Sequence, residues 1–85
     1  MGKFSDETIQ AVWDKGKPIP GKNPNLYRED PKGNVIFGPS YGKKTQMGWE
    51  IDHKHPVNKG GTDCLRNLQP LQYAENKRKS DKYPY

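Results

Sequence analysis

Between Trp49 and Asp81 the chain reads W-E-I-D-H-K-H-P-V-N-K-G-G-T-D-C-L-R-N-L-Q-P-L-Q-Y-A-E-N-K-R-K-S-D, and this pattern admits few folds. Trp49 to Lys54 alternates as a strand does. Trp49, Ile51 and His53 share one face, and Glu50, Asp52 and Lys54 share the other. Asn58 to Thr62 reads as a loop, with Gly60 and Gly61 free to take positive φ or to let backbone approach closely. Leu65, Leu68 and Leu71 are expected to supply core contacts around a return strand. Pro70 is expected to hold the start of the next helix to residue 71 or 72. That helix runs from Tyr73 to about Lys82, with Asn76, Lys79 and Ser80 on one face. The reading is two antiparallel strands, a long loop between them, and one helix packed across.

Upstream, residues 5 to 15 read as a helix. Ser5 is a good N-cap, Asp6 and Glu7 suit the positive end of the helix dipole, and Phe4 and Ile9 sit where a hydrophobic staple forms. Ile9, Val12 and Trp13 recur at helical spacing, with Trp13 as a core anchor, and Gly16 is the expected left-handed residue after the helix. Residues 16 to 34 are turn-rich. Asp30-Pro31-Lys32-Gly33 carries a β-turn signature, with Pro at i+1 and Gly at i+3. Val35–Phe37 is a short strand.

Only 29% of the 85 residues are hydrophobic, so one small core is all the chain can bury, and one domain is expected. Nine aromatic-type positions among Phe, Trp and Tyr offset part of that shortage. A net charge of +5 favours a polyanionic partner, most simply nucleic acid. The single cysteine, Cys64, excludes an intramolecular disulfide framework and a four-cysteine zinc site. No apolar run is long enough to span a membrane. The start, M-G-K-F-S-D-E-T, has neither a signal-peptide core nor, with Asp6 where Ser or Thr is needed, a myristoylation signal. An intracellular protein without a membrane partner is expected.

Two residue types in the first block invite chemistry. His53 is a candidate general base, since a neutral imidazole is available near pH 7. Asp52 offers carboxylate oxygen of the kind Mg²⁺ prefers. On an ideal pleat the two point to opposite faces.

On D-H at 52–53, P-x-x-x-G-G at 56–61, N-L-x-P-L at 67–71 and N-x-x-K-S-D at 76–81, the segment resembles the HNH endonuclease family, the ββα-metal nucleases. The resemblance covers 33 of the 85 residues. It implies an α+β fold: a small ββα-metal (His-Me finger) domain over residues 49–82, with residues 1–48 as an N-terminal helix and turn-rich support. It also implies that the end of the strand twists so that Asp52 and His53 reach one phosphate. Asn76 falls at the family's third position, where its amide oxygen would join Asp52 on the metal. This hard oxygen pair makes Mg²⁺ or Mn²⁺ the expected ion. Asn67, at the middle position, would bond loop backbone and hold His53 in place. Lys54, His55, Lys59, Lys77, Arg78 and Lys79 would contact substrate, with His55 equally able to be an accessory ligand or to cap the loop. Phosphate contacts of that kind position a nucleic acid without reading its sequence.

One departure stands out. Many members carry two CxxC pairs around a structural zinc. Here Asp30, Gly33, Gln72 and Glu75 offer no thiols, so no structural zinc is expected and the aromatic core must replace that staple. The function implied is metal-dependent hydrolysis of DNA phosphodiester bonds, by nicking with low sequence specificity. The residues leave RNA open alongside DNA, and the oligomeric state open as well. The rivals are a nucleic-acid-binding module that has lost activity and a toxin-like nuclease with an immunity partner. A chain starting at Met1 with no delivery region weighs against the second.

Overall fold

The structure, a computed structural model, describes residues 4–85. The readings that involve Met1, Gly2 and Lys3 lie outside these residues. Helix α1 spans Asp6–Trp13. The Ser5 hydroxyl accepts from the Thr8 backbone N–H at 3.1 Å, satisfying one of the donors a helix start leaves open. Gly16 is not left-handed. Its value is space, because a Cβ there would lie 3.0 Å from the Cβ of Arg28. The Arg28 guanidinium uses that closeness to donate to the carbonyls of Asp14 and Gly16, at 3.1 and 2.9 Å.

The turn-rich stretch holds more structure than its sequence suggests. Strands β1 (Lys17–Pro18), β2 (Tyr27–Glu29) and β3 (Val35–Phe37) form an antiparallel three-stranded meander in that order. The turn from β2 to β3 is closed by the Gly33 N–H on the Asp30 carbonyl at 2.9 Å, and Gly33 takes a φ of 87°. The Asp30 carboxylate accepts from the backbone N–H groups of Lys32 and Asn34 inside the same turn.

The second half is a ββα unit. Strand β4 (Trp49–His53) pairs antiparallel with β5 (Leu68–Gln72), and α2 (Tyr73–Lys79) follows directly. Pro70 does not mark the strand's end. It lies inside β5 opposite Ile51, where it is tolerated because both strands of a two-stranded sheet are edges. Gln72 instead sets the helix start, its side-chain oxygen accepting from the Glu75 N–H at 2.9 Å. The helix ends at Lys79, three residues before the sequence expectation, and Ser80 turns the chain with a φ of 50°.

The core belongs to both halves. Val12 and Trp13 from α1, Ile36 from β3, and Trp49 and Leu68 from the ββα unit form one buried cluster, with Phe4, Ile9, Tyr41 and Ile51 packed around it. Each fully buried aliphatic side chain here is worth about 1.5–3 kcal/mol. The Trp13 and Trp49 rings lie 5.2 Å apart, and both indole N–H groups find backbone carbonyls, those of Pro24 and Gly38. Leu71 is also buried, but Leu65 is 45% exposed and takes no part. It sits in a short 3-10 turn, where its carbonyl and that of Leu68 accept from Lys15. No helix among the described residues is long and apolar enough to cross a membrane.

The aromatic core thus exists, yet it does not tie Asp30 and Asn34 to Gln72 and Glu75. Polar groups do. Asp30 accepts the Gln72 N–H at 2.9 Å, and the Asn34 amide donates to both Asp30 and Glu75 at 3.1 Å. Arg78 and the Tyr85 hydroxyl complete the shell around Glu75. Donation by Tyr85, then by Arg78 and Asn34, holds the Glu75 carboxyl well below its ordinary value, at about 2. The meander turn and the start of α2 are tied by hydrogen bonds.

Candidate functional site

Strand alternation divides the chemistry of β4 between two faces. Glu50 and Asp52 face α2. Asp52 is 6% exposed, and its two oxygens are both engaged: one with the Lys79 ammonium at 3.2 Å, the other with the Gln69 amide at 2.8 Å. Gln69 is the cross-strand partner of Asp52 in the sheet register, which explains the contact. One turn earlier on α2, the Asn76 amide donates to Glu50 at 2.7 Å. Asn76 and Lys79, three residues apart, therefore meet Glu50 and Asp52, two apart, as facing pairs.

Lys79 is the largest departure from the sequence reading. Expected to meet substrate, it is 2% exposed, and its ammonium lies between Asp52 and the His53 carbonyl, 3.0 Å from the latter. Lys54, Lys59, Lys77 and Arg78 are exposed. Of these, Arg78 is committed to Glu75 at 2.8 Å, and Lys77 lies over the Tyr73 ring. Lys54, Gln69, Lys79 and Tyr83 border a cleft of about 260 Å³, so the two groups that hold Asp52 also line an opening to solvent.

His53 occupies the other face. Its Nε2 is 2.6 Å from an Asp63 carboxylate oxygen, and its ring lies 6.1 Å from that of Phe4. Asp52 and His53 keep the opposite orientations of an ordinary pleat, each with its own partners. The loop after them is built tightly. Asn67 accepts the His55 N–H at 2.9 Å and donates to the carbonyls of His55 and Thr62 at 3.1 and 2.8 Å. Gly60 takes a φ of 98°, while Gly61 serves close approach: a Cβ there would come within 1.7 Å of the His55 carbonyl oxygen. With its backbone clamped in this way, the His55 ring lies flat against Tyr83, with centroids 4.4 Å apart and planes 10° from parallel.

The α2 face of β4 gathers charged and polar groups. It carries two carboxylates, Glu50 and Asp52, and the Asn76 amide, and its buried carboxylate Asp52 is paired with the Lys79 ammonium. No group of three or more His, Cys, Asp or Glu among the described residues could hold a metal ion. Any ion here would rest on few protein ligands and keep most of its water, as Mg²⁺ commonly does.

Four residues of this arrangement escape a reading of the sequence. Glu50 carries a signal, since a strand period of two puts it on the Asp52 face. Gln69 needs the register of β5. Asp63 and Tyr83 reach their histidines through loop and tail paths that no periodicity encodes.

The family model described as HNH endonuclease matches residues 40–82, just over half of the chain. No curated protein and no solved structure matches significantly.

Proposed function

Because the chain belongs to the HNH endonuclease family, we propose that it is a divalent-metal-dependent endonuclease that hydrolyses DNA phosphodiester bonds. The observation that carries this reading is the seam between β4 and α2, where Asp52 paired with Lys79 lies next to Glu50 paired with Asn76. Asp52 and Asn76 would hold the ion, with Mg²⁺ or Mn²⁺ favoured by their hard oxygens. An ion held there would supply charge neutralisation at the scissile phosphate and the leaving oxygen. His53 takes a proton from the attacking water. Water oxygen bonds to phosphorus, the bond to the 3′ oxygen breaks, and that oxygen is protonated from solvent. Bringing His53 and Asp52 to one phosphate requires the end of β4 to twist. Lys79 must also release Asp52 for the ion. Asn67 holds the loop that follows His53, and Lys54, Lys59 and Lys77 offer charge to neighbouring phosphates.

The Lys79–Asp52 ion pair favours a second reading, in which Lys79 permanently fills the cation position and the domain binds nucleic acid without cutting it. Nicking of supercoiled plasmid with Mg²⁺ or with EDTA separates the two. Metal-dependent nicking that His53→Ala reduces by ~10²–10⁴ supports the first. Binding without nicking supports the second.

A further inference from the structure

A histidine acts as a base only through the nitrogen that lacks a proton, so whatever binds the other nitrogen decides which atom works. In this structure that partner is a carboxylate. His53 Nε2 lies 2.6 Å from Asp63 Oδ1, a short contact of the kind a carboxylate makes with an N–H donor. A carboxylate has lone pairs and no proton to give, so the proton of this bond belongs to Nε2. In the neutral ring Nδ1 is then left with the lone pair.

The loop that carries Asp63 is shaped for this contact. Gly61 lets the backbone press against the His55 carbonyl, which no side chain would allow. Asn67 then ties Thr62, the residue before Asp63, to His55, two residues after His53. Three hydrogen bonds from one amide side chain therefore fix both ends of the path from His53 to Asp63. Asp63 is itself 63% exposed in its side chain, so burial does not place it there; the loop does.

We infer that Asp63 is the positioning residue for His53, fixing the imidazole with its proton on Nε2 and Nδ1 as the proton acceptor. The inference rests on the reading of His53 as the general base. Gly61 and Asn67 serve the site at one remove, by delivering Asp63.

The test needs a readout that does not depend on activity. The chain has two histidines, so ring nitrogen NMR at a pH where both rings are neutral, with His55→Gln for assignment, reports the His53 tautomer directly. The wild type should show His53 almost wholly protonated at Nε2. Asp63→Ala should show the mixture of tautomers of a free histidine, and Asp63→Glu should restore the single form. In the nicking assay Asp63→Ala should lower kcat by about 10- to 100-fold with little change in KM, as loss of a group that orients a functional histidine does. A mixed tautomer in the wild type, or an unchanged one in Asp63→Ala, overturns the inference. So does wild-type kcat in Asp63→Ala when His53→Ala is inactive. A fully active His53→Ala would instead remove the general-base reading, while the spectra would still decide whether Asp63 sets the tautomer.

Discussion

Lys79→Met removes the ammonium from α2 while keeping most of the side chain's volume. Lys79 and Asp52 are 2% and 6% exposed, so the variant leaves a carboxylate buried with only the Gln69 amide for support. Breaking a buried ion pair from one side costs about 3–5 kcal/mol, because the remaining charge is unpaired and almost wholly buried. At the lower figure, and at roughly 4–8 °C per kcal/mol for a domain of this size, Tm should fall by about 12–24 °C. Asp52→Asn/Lys79→Met should recover most of the loss, since it leaves no charge behind. The measurement is urea and thermal unfolding followed by circular dichroism in EDTA, across both single variants and the double. Adding Mg²⁺ should raise the Tm of Lys79→Met more than that of the wild type, as the cation takes the place the ammonium vacated. A single-variant loss below about 1 kcal/mol, the range of a solvated surface pair, would refute the reasoning, as would strict additivity in the double variant.

Gly61→Ala should destabilise by about 1–3 kcal/mol in urea unfolding and broaden the His53 ring signals, because its Cβ meets backbone that cannot yield. Glu75 has a folded pKa lowered to about 2, so its contribution is complete above the ordinary carboxylate range and is lost as pH falls from about 4.5 towards 2. A Tm–pH scan should show that loss in the wild type and not in Glu75→Gln. Binding to several unrelated duplexes should weaken with salt, with a slope of about -0.9 in log K against log salt per phosphate contacted. Lys54→Ala or Lys77→Ala should reduce the slope by about one, whereas Lys79→Met should leave it unchanged, because the Lys79 ammonium faces Asp52.

The parts of this fold that sequence makes legible are those written in a period. The alternation from Trp49 to His53 gives a strand and its two faces, and the stripe of Ile9, Val12 and Trp13 gives α1. Strands β1 and β2 have two and three residues, too few for any alternation to appear, and they pass for turns. Pro70 reads as a boundary only if the sheet has more than two strands. Leu65 reads as core because it is leucine, though the short turn it sits in points it to solvent. The site follows the same rule. The facing of Asn76 and Lys79 follows from helical spacing, but the burial of Lys79 depends on a carboxylate across the seam. The bond from Asp63 to His53 depends on how a glycine loop folds back, which is a fact of tertiary structure.

The five registered pairs of β4 and β5 also make the site a matter of parity. Even-numbered positions of β4 look towards α2, and odd-numbered positions look towards α1. A residue added to the 54–67 loop leaves this parity of β4 intact. A residue added within β4, between Glu50 and Asp52, would exchange the two compartments, turning a carboxylate into the tryptophan core and an aliphatic side chain onto the seam with Lys79. The strand is thus a frame that admits changes only in twos.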